Sequence, residues 1–168
     1  MDLQLNEFDS PLGIVLVATD DAAVRAVDFA DYRDRMDRLL NRHYGQYVLR
    51  AGRDRVGAVT RLKAYFAGDL SAIDSLSVAT NGTPFQQRVW TALRSIPSGK
   101  TISYGTLAKN IKQPTAGRAV GLANGSNPIA IIVPCHRVIG ANKTLTGYGG
   151  GLHRKEWLLH HEINHQAE

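Results

Sequence analysis

The chain has 168 residues, 43% of them hydrophobic and 21% charged, with one cysteine and a formal net charge of +5. A chain of this length buries roughly 70% of its unfolded surface, so a packed core is expected, and the composition excludes a disordered tail, a collagen-like repeat and a coiled coil. One cysteine excludes an internal disulfide and a Cys-rich structural zinc site, and points to a reducing compartment. Met1 to Ser10 lacks the basic and apolar regions of a signal peptide, and no apolar run approaches the roughly 20 residues of a membrane span. A cytoplasmic chain without a membrane partner is expected.

Charge is unevenly placed: 10 Lys and Arg face 12 Asp and Glu before Thr83, against 10 and 3 from Thr83 onward. A basic half beside an acidic one suits a polyanionic partner, because clustered cations release counterions from a phosphate backbone. The alternative is a solvated basic face, so the motifs must decide.

In the first half, Leu3 to Phe8, Gly13 to Ala18 and Val24 to Phe29 are short β-rich runs separated by turn residues, the pattern of an antiparallel meander. Arg33 to Tyr44 and Val56 to Phe66 carry apolar residues near helical period. This half, residues 1–80, reads as a scaffold of a small antiparallel sheet with helices. Ser71 to Thr83 reads as a linker.

Residues 84–168 read as a second, mostly helical domain. Thr83-Pro84-Phe85-Gln86 is a capping box with proline at the first helical position, predicting a helix from Pro84 to about Ser95. Ser103 is a second cap, opening a helix from Tyr104 to about Lys109, and a third helix is expected from about Thr115 to Asn124. The last two form a helix-turn-helix. Glycine inside the third helix costs about 1 kcal/mol relative to alanine, so some close-approaching surface should offset it. A smooth Ala/Gly face around Arg118 suits the minor groove, about 6 Å wide; tight packing inside the core is the competing explanation.

Pro128 to Pro134 has the β-branched composition of a buried strand and leads to Cys135-His136-Arg137-Val138. A lone cysteine is most often an inert buried hydrophobe, but an imidazole and a guanidinium beside it favour the thiolate. Direct contact between Cys135 and His136 requires a turn at Pro134, or a bridging water. An imidazole in such a pair needs an orienting group. Leu152, Glu156, Leu159 and Ile163 share one helical stripe, which makes Glu156 the expected partner of His136.

These residues resemble the O6-alkylguanine-DNA alkyltransferases, suicide repair proteins. The resemblance runs through Arg118-Ala119-Val120-Gly121, Asn127-Pro128 and Pro134-Cys135-His136-Arg137-Val138. It extends to Phe85-Gln86, Val89-Trp90, Ser103-Tyr104-Gly105, Gly147-Tyr148, Gly150-Gly151 and Lys155 to Leu159. It implies single-turnover transfer of an alkyl group from O6-alkylguanine, and by extension O4-alkylthymine, to Cys135. His136 would take the thiol proton through a water, Glu156 would hold the imidazole, Tyr104 would donate to guanine N3, and Asn127 would brace the backbone near Cys135. Double-stranded DNA is the implied partner of a monomer. Arg118, Ala119, Gly117, Ser103 and Gln113 would contact it, with Arg118 filling the place of a flipped nucleotide. Tyr148, Gly149, Gly150, Val138 and Ala130 would line the substrate pocket. Gly149 and Ala130 stand where some members carry larger or stiffer residues, implying room for groups larger than methyl. No cofactor or metal is implied.

His161-Glu162-Ile163-Asn164-His165 matches the zinc-peptidase pattern H-E-x-x-H. It lies at the end of the sequence with no third ligand after it, so it is discounted. A non-catalytic helix-turn-helix regulator explains the charge but leaves Cys135-His136 unexplained.

Overall fold

The structure, a computed structural model, describes residues 1–142 and 145–166. They form two compact units. One comprises Met1–Asn81 with Pro128–Ile132, and the other Gly82–Asn127 with Val133–Glu168.

In the first unit, β1 (Asp2–Ser10), β2 (Gly13–Thr19) and β3 (Val24–Phe29) form the expected antiparallel meander. The β1–β2 turn needs glycine: Gly13 has a φ of +102°, and the Ser10 hydroxyl donates to its carbonyl at 2.7 Å. The sheet is mixed rather than purely antiparallel, because β4 (Val48–Ala51) adds parallel to β1 in the order β3-β2-β1-β4. Mostly exposed, this short strand has no alternating apolar pattern to announce it, and exists by pairing with the β1 edge.

Strand periodicity sends alternate side chains to opposite faces. One face, with Leu3, Leu16, Ala18 and Ala26, packs against Met36 and Leu40 of α1 (Arg33–Tyr44). From the other, Phe8 meets Phe66 of α2 (Ala58–Phe66) edge-on, with ring centroids 6.1 Å apart.

The Pro128–Ile132 run is buried, as its composition requires, but it is not the strand expected. Val27 N–H donates to the Pro128 carbonyl and Ala130 N–H to the Val27 carbonyl, both at 3.1 Å, making one isolated parallel bridge. Ile131 then turns away with a φ of +72°, a left-handed conformation unusual for a β-branched residue. Burial of the run therefore does not propagate a ladder.

In the second unit, α3 (Pro84–Leu93) starts at the predicted capping box: Gln86 N–H donates to Thr83 Oγ1 at 3.1 Å and Thr83 N–H to Gln86 Oε1 at 3.0 Å. Helix α4 (Tyr104–Asn110) is capped by Ser103, whose Oγ accepts from Thr106 N–H at 3.1 Å. Helix α5 (Gly117–Gly125) begins two residues later than expected, because Ala116 N–H bonds the Gln113 carbonyl at 2.9 Å and closes a turn first. Together α4, the turn and α5 make the helix-turn-helix. Trp90 of α3 anchors it by donating Nε1–H to the Ala123 carbonyl at 2.8 Å.

Cys135–Arg137 forms a 3-10 turn, and β6 (Val138–Ile139) follows it. β6 pairs in parallel with β5 (Ile102–Ser103), so the start of α4 is drawn toward the cysteine turn. The last helix, α6, spans Leu152–Asn164. Among the described residues, no helix is long and apolar enough to cross a membrane.

Candidate active site and nucleic-acid interface

The turn expected at Pro134 is present, so Cys135, His136 and Arg137 leave the backbone in successive directions rather than alternating along a strand. All three are buried, Cys135 with 8% of its surface exposed. Two amides tie this turn to α5 and the residues after it: Asn124 Nδ2 donates to the Cys135 carbonyl at 3.3 Å, and Asn127 Nδ2 to the Val133 carbonyl at 2.7 Å.

Glu156 is not the partner of His136. It is exposed, as are Leu152 and Ile163 of the same stripe, at 48% and 59%. The buried face of α6 carries Lys155, Leu158, Leu159 and Glu162, spaced three, one and three apart. This is an equally good helical stripe in a different phase. Periodicity puts apolar residues inward, whereas the buried residues of this helix include three charged groups, Arg154, Lys155 and Glu162, each met by partners.

Glu162 Oε2 lies 2.8 Å from His136 Nε2, and both side chains are fully buried. Arg137 grips the same carboxylate with Nε and Nη2, each at 2.8 Å, and donates Nη1–H to the Ile96 carbonyl at 2.6 Å. Burial alone would raise the Glu162 carboxyl, but His136 and Arg137 outweigh it and hold it far below the usual range. Burial pushes the His136 imidazole below 6.5, over the opposing pull of Glu162. A carboxylate only accepts, so Nε2 of a neutral His136 carries the proton and Nδ1 presents its lone pair. Nδ1 is buried and has no hydrogen-bond partner among the described residues.

Lys155 is a further buried charge of α6. Its Nζ donates to the carbonyls of Val138 and Thr146, both at 2.6 Å. Burial pulls the ammonium down from 10.5 to about 8, while attraction to Cys135 opposes that shift. A cation is therefore held in the electrostatic reach of the thiol, a condition that favours thiolate. The carbonyl it shares belongs to Thr146, whose hydroxyl is 3.0 Å from that of Tyr104. Tyr104 is thereby placed at the start of α4 with its phenol fixed.

Sequence reasoning missed Glu162, Lys155 and Asn124 as site residues. Glu162 had been visible only inside the H-E-x-x-H pattern. That pattern's carboxylate is spent on His136 and Arg137, while His161 stacks on Trp157 with centroids 4.6 Å apart and its carbonyl meets His165 Nδ1 at 2.9 Å. The alternative phase of α6 was the one signal that could have revealed Lys155 and Glu162 together.

Of the expected pocket residues, Val138 is buried beside Lys155, and Tyr148, Gly149 and Gly150 lie in the turn before α6. There the Tyr148 carbonyl accepts from Gly151 N–H at 2.9 Å and that of Gly150 from Arg154 Nη1 at 3.1 Å. Ala130 groups with the first unit, bonded to β3.

On α5, Arg118 and Ala119 are exposed while Val120, Ala123 and Asn124 face the core. The glycines answer the packing question raised by their cost. A Cβ at Gly117 or Gly125 would meet nothing within 4 Å, and one at Gly121 only the Tyr104 ring at 3.9 Å. Internal packing therefore does not require them. Ser103 is engaged as the cap of α4, and Gln113 sits in the inter-helix turn, its N–H bonded to the Ala108 carbonyl at 2.9 Å.

The family model described as 6-O-methylguanine DNA methyltransferase, DNA binding domain, matches residues 84–164. A Salmonella typhimurium protein named methylated-DNA–protein-cysteine methyltransferase is 54% identical over 160 residues, 91% of each chain. One of the same name from Mycolicibacterium paratuberculosis is 47% identical over 166 residues, covering 97% of this chain and 94% of the relative. The crystal structure of Mycobacterium tuberculosis OGT in complex with DNA superposes with a TM-score of 0.80 at 42% identity, over 98% of this chain and 94% of that one. With likeness at this level running almost end to end, the chain belongs to the methylated-DNA–protein-cysteine methyltransferase family.

Proposed function

We propose that this chain repairs alkylated DNA by moving the alkyl group of O6-alkylguanine, and of O4-alkylthymine, irreversibly onto its own Cys135. The observation that carries the reading is the buried set of Glu162, His136 and Lys155 around the cysteine turn. His136 Nδ1, freed as an acceptor by the Glu162 bond, takes the Cys135 proton through a bridging water, and Lys155 stabilises the thiolate. The sulfur attacks the alkyl carbon in line; an S–C bond forms as the C–O6 bond breaks. Tyr104 donates a proton toward N3, so the leaving guanine does not carry full negative charge.

The product is a thioether. An alkanethiolate is a poor leaving group from sp3 carbon, so water does not displace it from the thioether and each molecule acts once.

The target carbon is inaccessible inside a duplex, which requires extrusion of the nucleotide at a cost of a few kcal/mol. The exposed Arg118 fills the space left behind, and the glycine track of α5 lets the helix backbone press into the minor groove. Gly117 and Ala119 flank the wedge, while Ser103 and Gln113 sit where the duplex backbone passes. Asn127 braces the nucleophile's segment. Tyr148, Gly149, Gly150 and Val138 border the alkyl group. Gly149 adds no side-chain atoms to that wall, so groups larger than methyl are accepted.

Incubation with duplex DNA bearing radiolabelled O6-methylguanine tests the reading. Label should move to protein, at most once per molecule, and map to Cys135. Label that stays on DNA, or turns over repeatedly, overturns it.

A further inference from the structure

Leu122 is the most exposed of the large hydrophobic side chains in the described residues, at 72%. It stands on α5, one turn after Arg118, and its exposure is fixed by helix phase because Val120, Ala123 and Asn124 occupy the buried face. A lone surface leucine is ordinary. This one borders the Gly117, Gly121 and Gly125 track, where a Cβ meets open space or a single ring atom at 3.9 Å. It is thus an apolar projection beside a flat strip of backbone, on the face that carries Arg118 and in the half of the chain with 10 basic and 3 acidic residues.

We infer that Leu122 is a second, apolar wedge for the minor groove of duplex DNA, acting beside Arg118 to hold the duplex distorted around the extruded nucleotide. This rests on the minor-groove reading above and adds a specific residue to it. Proteins that bind the minor groove commonly press leucine and similar side chains against base steps, partly unstacking them. Four residues of helix advance about 6 Å, and base pairs are stacked about 3.4 Å apart. Leu122 therefore meets the duplex just under two steps from Arg118 when α5 lies along the groove. Arginine supplies charge and hydrogen bonds, while leucine supplies the dry contact that keeps the neighbouring step open without reading sequence.

The experiment compares wild type, Leu122→Ala and Leu122→Met on three measurements: affinity for undamaged duplex, transfer rate from O6-methylguanine in duplex, and reaction with a free O6-alkylguanine base. Leu122→Ala should weaken duplex binding and slow duplex transfer about 50-fold, the loss expected for withdrawing three buried carbons. Reaction with the free base should stay at wild-type rate, and Leu122→Met should restore duplex activity. In duplex with 2-aminopurine two positions from the lesion, the fluorescence rise on binding should be lost in Leu122→Ala. Wild-type duplex binding and transfer in Leu122→Ala would overturn the inference, as would an equal loss on duplex and free base. If wild type binds the lesion but transfers nothing, the alkyl-transfer reading fails, and Leu122 is then judged on duplex affinity and 2-aminopurine fluorescence alone.

Discussion

Glu162 meets His136 across 2.8 Å in an environment from which both side chains are wholly excluded from solvent. Because Arg137 holds the carboxylate from the other side, the imidazole has one allowed tautomer, with its proton on Nε2. Glu162→Gln should lower the transfer rate about 100-fold, the usual scale for a disabled general base, while Glu156→Gln, on the exposed face, leaves it unchanged. Single-turnover kinetics on lesion-bearing duplex check both. Equal losses would return Glu156 to consideration.

The same pair sets acid stability. Glu162 is depressed below 4.5 and His136 below 6.5 in the folded chain. In each case the unfolded chain binds more protons below the ordinary value, so stability falls as pH drops, first below about 6.5 and further below about 4.5. Glu162→Gln should flatten the lower part of that decline, measurable by denaturant unfolding from pH 7 to pH 3.

Lys155 makes the alkaline side distinctive. Its ammonium titrates at about 8 in the folded chain against 10.5 ordinarily. Between these values the unfolded chain holds a proton that the folded chain has lost, so this group's contribution to stability rises with pH across the window. The transfer rate should do the opposite, falling above about pH 8 as the thiolate loses its cation. A rate that declines while the melting temperature does not separates this from unfolding. Lys155→Met should remove the alkaline decline and lower the rate at neutral pH.

Cys135→Ser should abolish transfer and retain lesion binding, since the hydroxyl keeps the shape of the thiol without supplying an anion. Electrophoretic mobility shift with lesion duplex, run beside the label-transfer assay, checks it; measurable transfer by the serine variant would remove Cys135 as nucleophile.

The glycine track yields a prediction of opposite signs. Gly121→Ala places a Cβ 3.9 Å from Tyr104, an ordinary contact, and should stabilise α5 by about 0.5–1 kcal/mol. It should nonetheless weaken duplex binding, because the added methyl lifts the helix from the groove. A higher melting temperature with a higher Kd is the expected result. Arg118→Ala should slow duplex transfer much more than free-base reaction, since extrusion occurs only in the duplex.

Much was legible in the residues themselves wherever the information was local. The capping box of α3, the cap of α4, the β-meander and α1 follow from side chains acting within a few positions of themselves. The Cys135-His136 constellation and the small-residue helix around Arg118 were equally visible, because reactivity and cost are properties of residue type. What the sequence could not determine was pairing at a distance. Strand β4 depends on the edge offered by β1, and Pro128–Ile132 is buried against β3 without extending it. The phase of α6 depends on partners 17 to 26 residues earlier in the chain, Val138 and His136, which make burial of Lys155 and Glu162 tolerable. Hydrophobic periodicity assigns the inward face by apolar content alone. A buried charge that is paired and hydrogen-bonded escapes that rule, and only the tertiary structure reveals the partners that allow it.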